Sequence, residues 1–213
     1  MNIKAVIFDY GGVISFFQDE GAIKDMADLA GVDVSLMGRI YWDNRPIYDQ
    51  GLVSGKEYFK NILADVGVFA DDGLLQKLLD RDLQSWSRVN PQTEALIREL
   101  KAAGCKVAVL SNMVQDFLDR ARDKLPVFSS LDAAVYSCEV DAVKPEERIY
   151  RLILEKLGCE AEETAFFDDL ETNVKAAAAL GIQAFFWKDP ETARTELTKL
   201  GLSFPKQEEP WHS

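Results

Sequence analysis

Residues 6–13 of the chain read VIFDYGGV, and they continue an apolar run that starts at Ile3 and stops at Asp9, where two glycines follow. Because the run shows no alternation of apolar and polar residues, it predicts a strand that is buried on both faces, as in a parallel sheet. Four later runs are also short and apolar, and each ends in polar or charged residues: 106–110, 133–136, 164–167 and 182–187. Open α/β sheets bind their ligands at such strand ends.

Helical patterns fill the gaps between the later strands. Asn90 can cap a helix that has Pro91 at its first position and stops at Gly104. A second helix is predicted to start at Pro145 and to stop at Gly158, and a third to run over 171–180. This repeated strand–helix–strand order predicts an α/β fold, with a Rossmann-like doubly wound parallel sheet and right-handed crossovers.

Residues 16–88 interrupt this order. They contain helical patterns at 21–31, 54–67 and 71–86, and no convincing strand. A block of this length is too long for one crossover helix, so it predicts an α-helical cap inserted into the core. We therefore expect a core formed by 1–15 and 89–200, a cap formed by 16–88, and a poorly ordered tail over 203–213.

Composition excludes several classes of function. The chain has 213 residues and a formal net charge of −12, which argues against binding a nucleic acid backbone or an anionic membrane surface. His212 is the only histidine and lies second from the end of a polar tail, which argues against a Ser-His-Asp triad or a zinc site built on histidine. Three cysteines without metal-type spacing, no signal-peptide pattern and no long apolar span predict a cytoplasmic protein with reduced thiols.

The polar residues at the strand ends suggest phosphoryl transfer. Asp9, the Ser111-Asn112 pair, Lys144 and the Asp168-Asp169 pair should meet at one edge of the sheet. Taken singly, each has a plainer interpretation as a turn former, a helix cap or a solvated charge. Together they supply a carboxylate nucleophile, oxygen ligands for Mg²⁺, a cation, and a hydroxyl and a backbone amide for phosphoryl oxygens.

Four segments, in order, resemble the motifs of the haloacid dehalogenase superfamily: VIFDYGGV (6–13), VLSN (109–112), VKPEERIY (143–150) and FFDDLETN (166–173). The segment YDQGLVSGKEYF (48–59) also resembles the cap helices of the subgroup whose helical insert follows the first motif. The bacterial α-D-glucose-1-phosphatase type and the phosphatase domain of soluble epoxide hydrolase are the most similar in pattern. The resemblance covers about 3–15 and 90–190, essentially the whole core.

The resemblance implies roles for individual residues. Asp9 is the nucleophile, and Ser111 and Asn112 bind phosphate. Lys144 steadies the nucleophile and the transferring group. Magnesium is bound by Asp9, by the Gly11 carbonyl and directly by Asp169, with Asp168 close by and Asn173 in a supporting position.

One position departs from the pattern. Most phosphatases of the superfamily carry an Asp that acts as general acid two residues after the nucleophile, and this chain has Gly11 there. We therefore expect substrates with good leaving groups, such as a hexose 1-phosphate or an acyl phosphate, unless the cap supplies an acid. Two alternatives stay open: a 2-haloacid dehalogenase, in which the same Asp attacks carbon, and a degenerate member that binds a phosphorylated ligand or a protein without turnover.

Overall fold

The fold is built on five strands, as seen in a computed structural model that describes residues 3–19 and 21–204. They are β1 (Ala5–Phe8), β2 (Lys106–Ser111), β3 (Ala133–Tyr136), β4 (Thr164–Asp168) and β5 (Gln183–Phe186). All four strand pairs are parallel, and the order across the sheet is β3-β2-β1-β4-β5. This confirms the Rossmann-like parallel sheet. The predicted bounds were off by one or two residues at half of the strand ends, because pairing with the neighbouring strand, and not the apolar run alone, sets where a strand stops.

Four helices lie within residues 16–88: α1 (Ala22–Ala30), α2 (Val34–Asp49), α3 (Gly55–Ala64) and α4 (Asp72–Ser85). Seven more follow in the remainder of the described chain: α5 (Pro91–Ala102), α6 (Gln115–Ala121), α7 (Pro126–Ser129), α8 (Ser137–Val140), α9 (Glu147–Leu157), α10 (Glu171–Ala179) and α11 (Pro190–Lys199).

Local capping chemistry explains several helix ends. The Asn90 side chain accepts a hydrogen bond from the Gln92 amide at the start of α5, and Gly158 ends α9 in the left-handed conformation. The start predicted for α9 at Pro145 was wrong by two residues. Glu146 takes extended angles as the N-cap, and the helix begins at Glu147.

The sheet is covered on both faces. Ala5 and Ile7 of β1 pack with a cluster that includes Ile149 and Ile153 of α9. Val6 and Phe8 face the opposite way and belong to a second cluster, which continues through α5 and α11 into the helices between β1 and β2. Successive side chains of a strand point to opposite faces, so burial on both faces gives the uninterrupted apolar run seen in the sequence.

The sequence patterns anticipated α1, α3 and α4 but missed α2. This helix buries Met37, Ile40, Tyr41, Arg45 and Tyr48, a helical spacing in which one of the inward positions is an arginine. Pro46 lies inside the helix, which further weakened the pattern. Asp33 caps the helix through the amides of Ser35 and Leu36. This cap is the local signal that could have identified the helix.

The end of α2 and the start of α3 contact α6, which follows β2. The Asp116 carboxylate, on α6, accepts hydrogen bonds from the Gly55 amide at 2.9 Å and from the Tyr48 hydroxyl at 3.2 Å. The division into a core and a cap stays a prediction. Of the tail predicted to be poorly ordered, 205–213 lies outside the described residues. Within the described part of the chain, no helix is long and apolar enough to cross a membrane.

Candidate active site

The carboxyl ends of the three central strands bring the predicted site residues together. Asp9 directly follows β1, Ser111 ends β2, and Asp168 ends β4 with Asp169 next in the chain. The Asp9 amide donates to the Phe167 carbonyl at 2.9 Å, so the pairing of β1 with β4 continues to Asp9. The site therefore lies where parallel sheets place their ligands.

Lys144 is the centre of a buried ion-pair network. Its Nζ atom lies 2.8 Å from Asp9 Oδ1 and 2.6 Å from Asp168 Oδ2. The side chain of Lys144 is 2% exposed, that of Asp168 is 0% exposed and that of Asp9 is 12% exposed. Burial opposes the charge of Lys144, but the two carboxylates outweigh it and raise the pKa of the lysine. The lysine therefore stays charged.

The Asp9 carboxyl is in an unfavourable electrostatic environment. Burial raises its pKa to about 7, Lys144 opposes the shift, and Asp168 and Asp169 add to it. The contact with Lys144 does not meet the directional requirement of a hydrogen bond, and among the described residues the buried Oδ1 atom has no aligned donor. This oxygen can therefore accept a further hydrogen bond or bind a cation.

Asp168 and Asp169 have different surroundings. Asp168 Oδ1 accepts from the Leu170 amide at 2.8 Å and from Asn173 Nδ2 at 2.9 Å, while its Oδ2 accepts from Lys144. Asp169 forms no side-chain hydrogen bond or ion pair with any residue that the structure describes, and burial, then Asp168, raise its pKa. Asp168 is therefore held in place by the protein, whereas Asp169 is free to bind a ligand.

The donor set fits a hard divalent cation. One carboxylate oxygen from each of Asp9, Asp168 and Asp169 lies within 4.8 Å of the others. Three buried or half-buried carboxylates face one lysine, which leaves two negative charges without compensation. Oxygen ligands and two excess negative charges suit Mg²⁺ better than a soft metal. Gly11, whose carbonyl was predicted as a further ligand, lines the same cavity.

Asn112 positions the lysine. Its Oδ1 atom accepts from the Lys144 amide at 2.8 Å, and its Nδ2 atom donates to the Lys144 carbonyl at 3.0 Å. The side chain is therefore committed to the backbone of Lys144, and it is the main-chain amide of Asn112 that remains for a phosphoryl oxygen. The Ser111 hydroxyl lies beside it and lines the cavity.

A cavity of about 320 Å³ opens next to these groups. It brings together all the site residues predicted from the sequence except Asp168, which lies buried behind Lys144. One wall comes from the segment between β1 and β2 and contributes Phe17, Trp42, Arg45, Asp49 and Trp86. Trp187 does not line this cavity and packs edge-on against Phe8 and Phe167.

Arg45 and Asp49 were missed by the sequence analysis. Both lie on α2, and the guanidinium Nε of Arg45 donates to Asp49 Oδ1 at 2.8 Å. Asp49 falls inside the segment 48–59 that resembles the cap helices of the superfamily. That segment was the available signal, but without a fold nothing indicated that its second residue, Asp49, lines the same cavity as Asp9.

The chain matches the family model described as haloacid dehalogenase-like hydrolase over residues 3–181. It is 28% identical over 195 residues to phosphatase MT3486 of Mycobacterium tuberculosis, covering 87% of both chains. It is 38% identical over 116 residues to acyl-CoA dehydrogenase family member 10 of Mus musculus, covering 54% of this chain. The chain spans only 11% of that longer relative and 39% of the Sus scrofa bifunctional epoxide hydrolase 2.

Solved structures share the fold. The enzyme bt-2542 of Bacteroides thetaiotaomicron, described as a member of the same family and solved with magnesium and inorganic phosphate, is 22% identical with a TM-score of 0.73. The match covers 88% of this chain and 96% of that one. Structures described as dehalogenases are also similar, with TM-scores of 0.64 to 0.69 at 17% to 21% identity.

Proposed function

The chain belongs to the haloacid dehalogenase-like hydrolase family, and on this basis we propose that it is a magnesium-dependent phosphatase acting on a small phosphorylated metabolite. The observation that carries the proposal is the cluster of Asp9, Lys144, Asp168 and Asp169 at one edge of the sheet, next to an open cavity. Phosphatase MT3486, which is similar over most of its length, supports the same activity, and the magnesium and phosphate bound to bt-2542 fit it.

The proposed reaction proceeds through a covalent phosphate on Asp9. The Asp9 carboxylate attacks phosphorus, and water later releases the phosphate and restores the carboxylate. Lys144 lowers the pKa of Asp9 against the effect of burial and offsets charge on the transferring group, since its Nζ atom lies 2.8 Å from Asp9 Oδ1. The Ser111 hydroxyl and the Asn112 amide hold phosphoryl oxygens.

Asp9, Asp169 and the Gly11 carbonyl would hold Mg²⁺, which neutralises charge on the phosphoryl group and polarises it for attack. Asp168 contributes its negative charge and orients Lys144, because its own oxygens are occupied by Lys144, Leu170 and Asn173. Asn173 has the supporting role of holding Asp168.

The cavity suits a sugar phosphate, and we favour a hexose 1-phosphate. Phe17, Trp42 and Trp86 form an apolar wall that can pack against a sugar ring, and the volume of about 320 Å³ limits the substrate to a small molecule. The net charge of −12 makes nucleic acid and anionic membranes poor partners, so the positive charge that a phosphate needs must come from Lys144 and the metal.

Two further predictions accompany this function. Residues 16–88 act as a cap that closes over a core formed by 1–15 and 89–200, and the aromatic wall moves with the cap. The protein works in the cytoplasm, which fits three cysteines that form no disulfide in the structure.

The experiment is hydrolysis of p-nitrophenyl phosphate and of a panel of sugar phosphates, with magnesium and with EDTA. We expect turnover only with magnesium and no turnover by Asp9→Asn. Chloride release from 2-chloropropionate without magnesium would instead establish the dehalogenase alternative. Binding of phosphate without any turnover would establish the degenerate member.

A further inference from the structure

A general acid is needed for any substrate with a poor leaving group, and position 11 cannot supply it. Gly11 has no side chain, and a Cβ atom placed there would lie 3.3 Å from Cζ3 of Trp86. The Trp86 ring thus fills the space into which a longer side chain would extend. Expulsion of an alkoxide without a proton donor is slow, so the donor must come from another wall of the cavity.

Most ionisable groups of the cavity are already committed. Asp9 is the proposed nucleophile, Asp169 a proposed metal ligand, and Lys144 is paired with two carboxylates. The Tyr10 hydroxyl donates to the Trp86 carbonyl, and burial raises its pKa. Among the described residues that line the cavity, Asp49 is the carboxyl that remains.

The backbone of Asp49 is fixed next to the phosphate-binding residues. Its carbonyl accepts a hydrogen bond from the Ser137 hydroxyl, and the same hydroxyl accepts from the Met113 amide at 2.9 Å. Met113 directly follows the Ser111-Asn112 pair. The carboxyl end of α2 is therefore hydrogen-bonded, through Ser137, to the loop proposed to hold the phosphoryl group. Asp49 lies next to this loop without any movement of the helices.

The side chain of Asp49 is held at one oxygen and open at the other. Arg45 Nε donates to Oδ1 at 2.8 Å, whereas Oδ2 accepts no hydrogen bond from the described residues, and 23% of the side chain is exposed. Asp82, a fully buried carboxylate, holds the Arg45 guanidinium in place: Arg45 Nη1 lies 3.2 Å and 3.3 Å from its two oxygens. This arrangement presents one free oxygen at a constant position.

Four groups face Asp49 and set its protonation. Burial raises the pKa of Asp49, the Arg45 guanidinium and Lys144 lower it, and the charge of Asp82 raises it, with a raised pKa as the result. Tyr58, the fourth group, is neutral because burial raises its own pKa. A larger fraction of Asp49 than of an exposed aspartate therefore carries a proton near neutral pH.

We propose that Asp49 is the general acid and base of the reaction at Asp9, and that Arg45 is its positioning residue; this rests on the phosphatase function proposed above. As Asp9 attacks phosphorus, the bond to the leaving oxygen breaks and the proton on Asp49 Oδ2 moves to that oxygen. The Asp49 carboxylate then takes a proton from the attacking water, and the bond between phosphorus and Asp9 breaks. Water is consumed and an alcohol and phosphate are released.

The test compares Asp49→Asn with wild type and with Asp43→Asn, a matched control at an exposed position of the same helix. With glycerol phosphate, kcat of Asp49→Asn should fall by about 10²- to 10⁴-fold, the usual contribution of a general acid. With p-nitrophenyl phosphate, whose leaving group needs no proton, the variant should release a rapid stoichiometric burst of nitrophenolate and then turn over slowly, because water lacks its base. Asp43→Asn should behave as wild type.

A second variant tests the positioning role. Arg45→Lys keeps the positive charge next to Asp82 but loses the Nε contact to Asp49, so the attraction that lowers the pKa of Asp49 weakens. The basic limb of the pH profile of kcat/KM should then move to higher pH. A merely structural effect would lower the whole profile without moving the limb.

The outcomes separate the two proposals. If wild type is active and Asp9→Asn is not, but Asp49→Asn retains kcat for glycerol phosphate within about threefold, the role of Asp49 is wrong and the phosphatase function stands. If wild type shows no activity that depends on magnesium and Asp9, both are wrong. The burst also reports folding, since a misfolded Asp49→Asn protein would release no nitrophenolate in the first turnover.

Discussion

Replacing Asp9, the proposed nucleophile, should make the metal-free protein more stable while it abolishes activity. In the metal-free state Asp9 is buried with Asp168 and Asp169, and one lysine offsets their charge. Asp9→Asn keeps the size of the side chain and removes one of the two uncompensated negative charges. Sites built for charged reactions commonly lower stability in this way.

The magnitude follows from the pKa of Asp9, which burial raises from an ordinary 3.8 to about 7. Because the folded pKa is the higher one, the unfolded chain releases its proton first as the pH rises, and the folded state loses stability between about pH 4 and pH 7. A shift of about three units corresponds to about 4 kcal/mol. Asparagine does not titrate, so the free energy of unfolding of Asp9→Asn should exceed that of wild type by up to about 4 kcal/mol near pH 8. Near pH 4 the two values should be nearly equal.

Urea denaturation followed by circular dichroism, with EDTA present, measures this difference at the two pH values. Magnesium should then stabilise wild type far more than Asp9→Asn, by about 2.7 kcal/mol at a hundredfold excess over the dissociation constant. The reasoning would be refuted if, near pH 8 without metal, Asp9→Asn unfolded at the same or a lower urea concentration than wild type. It would also be refuted if magnesium stabilised both proteins equally.

Three further substitutions test the architecture around the site. Arg45→Met leaves the fully buried Asp82 without its ion pair, so it should lower the free energy of unfolding, measured by urea denaturation, by about 3–5 kcal/mol. A loss of less than about 1 kcal/mol would show that the pair is not buried. Gly55→Ala should lower the free energy of unfolding by about 1–3 kcal/mol, since its Cβ atom would lie 2.4 Å from Leu79 Cδ1. Gly38→Ala on α2, where the nearest atom lies 3.6 Å from the new Cβ atom, should leave the free energy of unfolding unchanged or raise it in the same urea denaturation. Asn173→Ala removes the hydrogen bond to the buried Asp168 carboxylate and should lower the free energy of unfolding by about 1.5–3 kcal/mol. If both stability and kcat were unchanged, the supporting role proposed for Asn173 would be wrong.

The local parts of the fold could be predicted because their causes are local. An apolar run that ends at Asp9 or at Asp168 indicates a doubly buried strand, and Asn90 followed by Pro91 indicates a helix start; the structure has these features where the sequence predicts them. The start of α9 was misplaced because proline fits both the first turn of a helix and the bend that precedes it.

Part of the candidate site could likewise be predicted from the sequence, and part depends on contacts that only the structure shows. Asp9, Ser111, Lys144 and Asp169 could be proposed to converge because the carboxyl ends of parallel strands meet at one edge, whatever else the chain does. That Asp168 is occupied by protein groups while Asp169 is free depends on side-chain contacts, which the repeated aspartate in the sequence does not reveal.

The sequence by itself determined an α/β fold with a parallel sheet, and the acids and lysine at its edge, since burial patterns and strand polarity are written in consecutive residues. Tertiary structure alone decided that Arg45 and Asp49 line the same cavity as Asp9. Their helix carries an arginine on its buried face because Asp82, 37 residues later, neutralises it there. A pairing of that kind arises only when two helices pack together, so no window of neighbouring residues contains it.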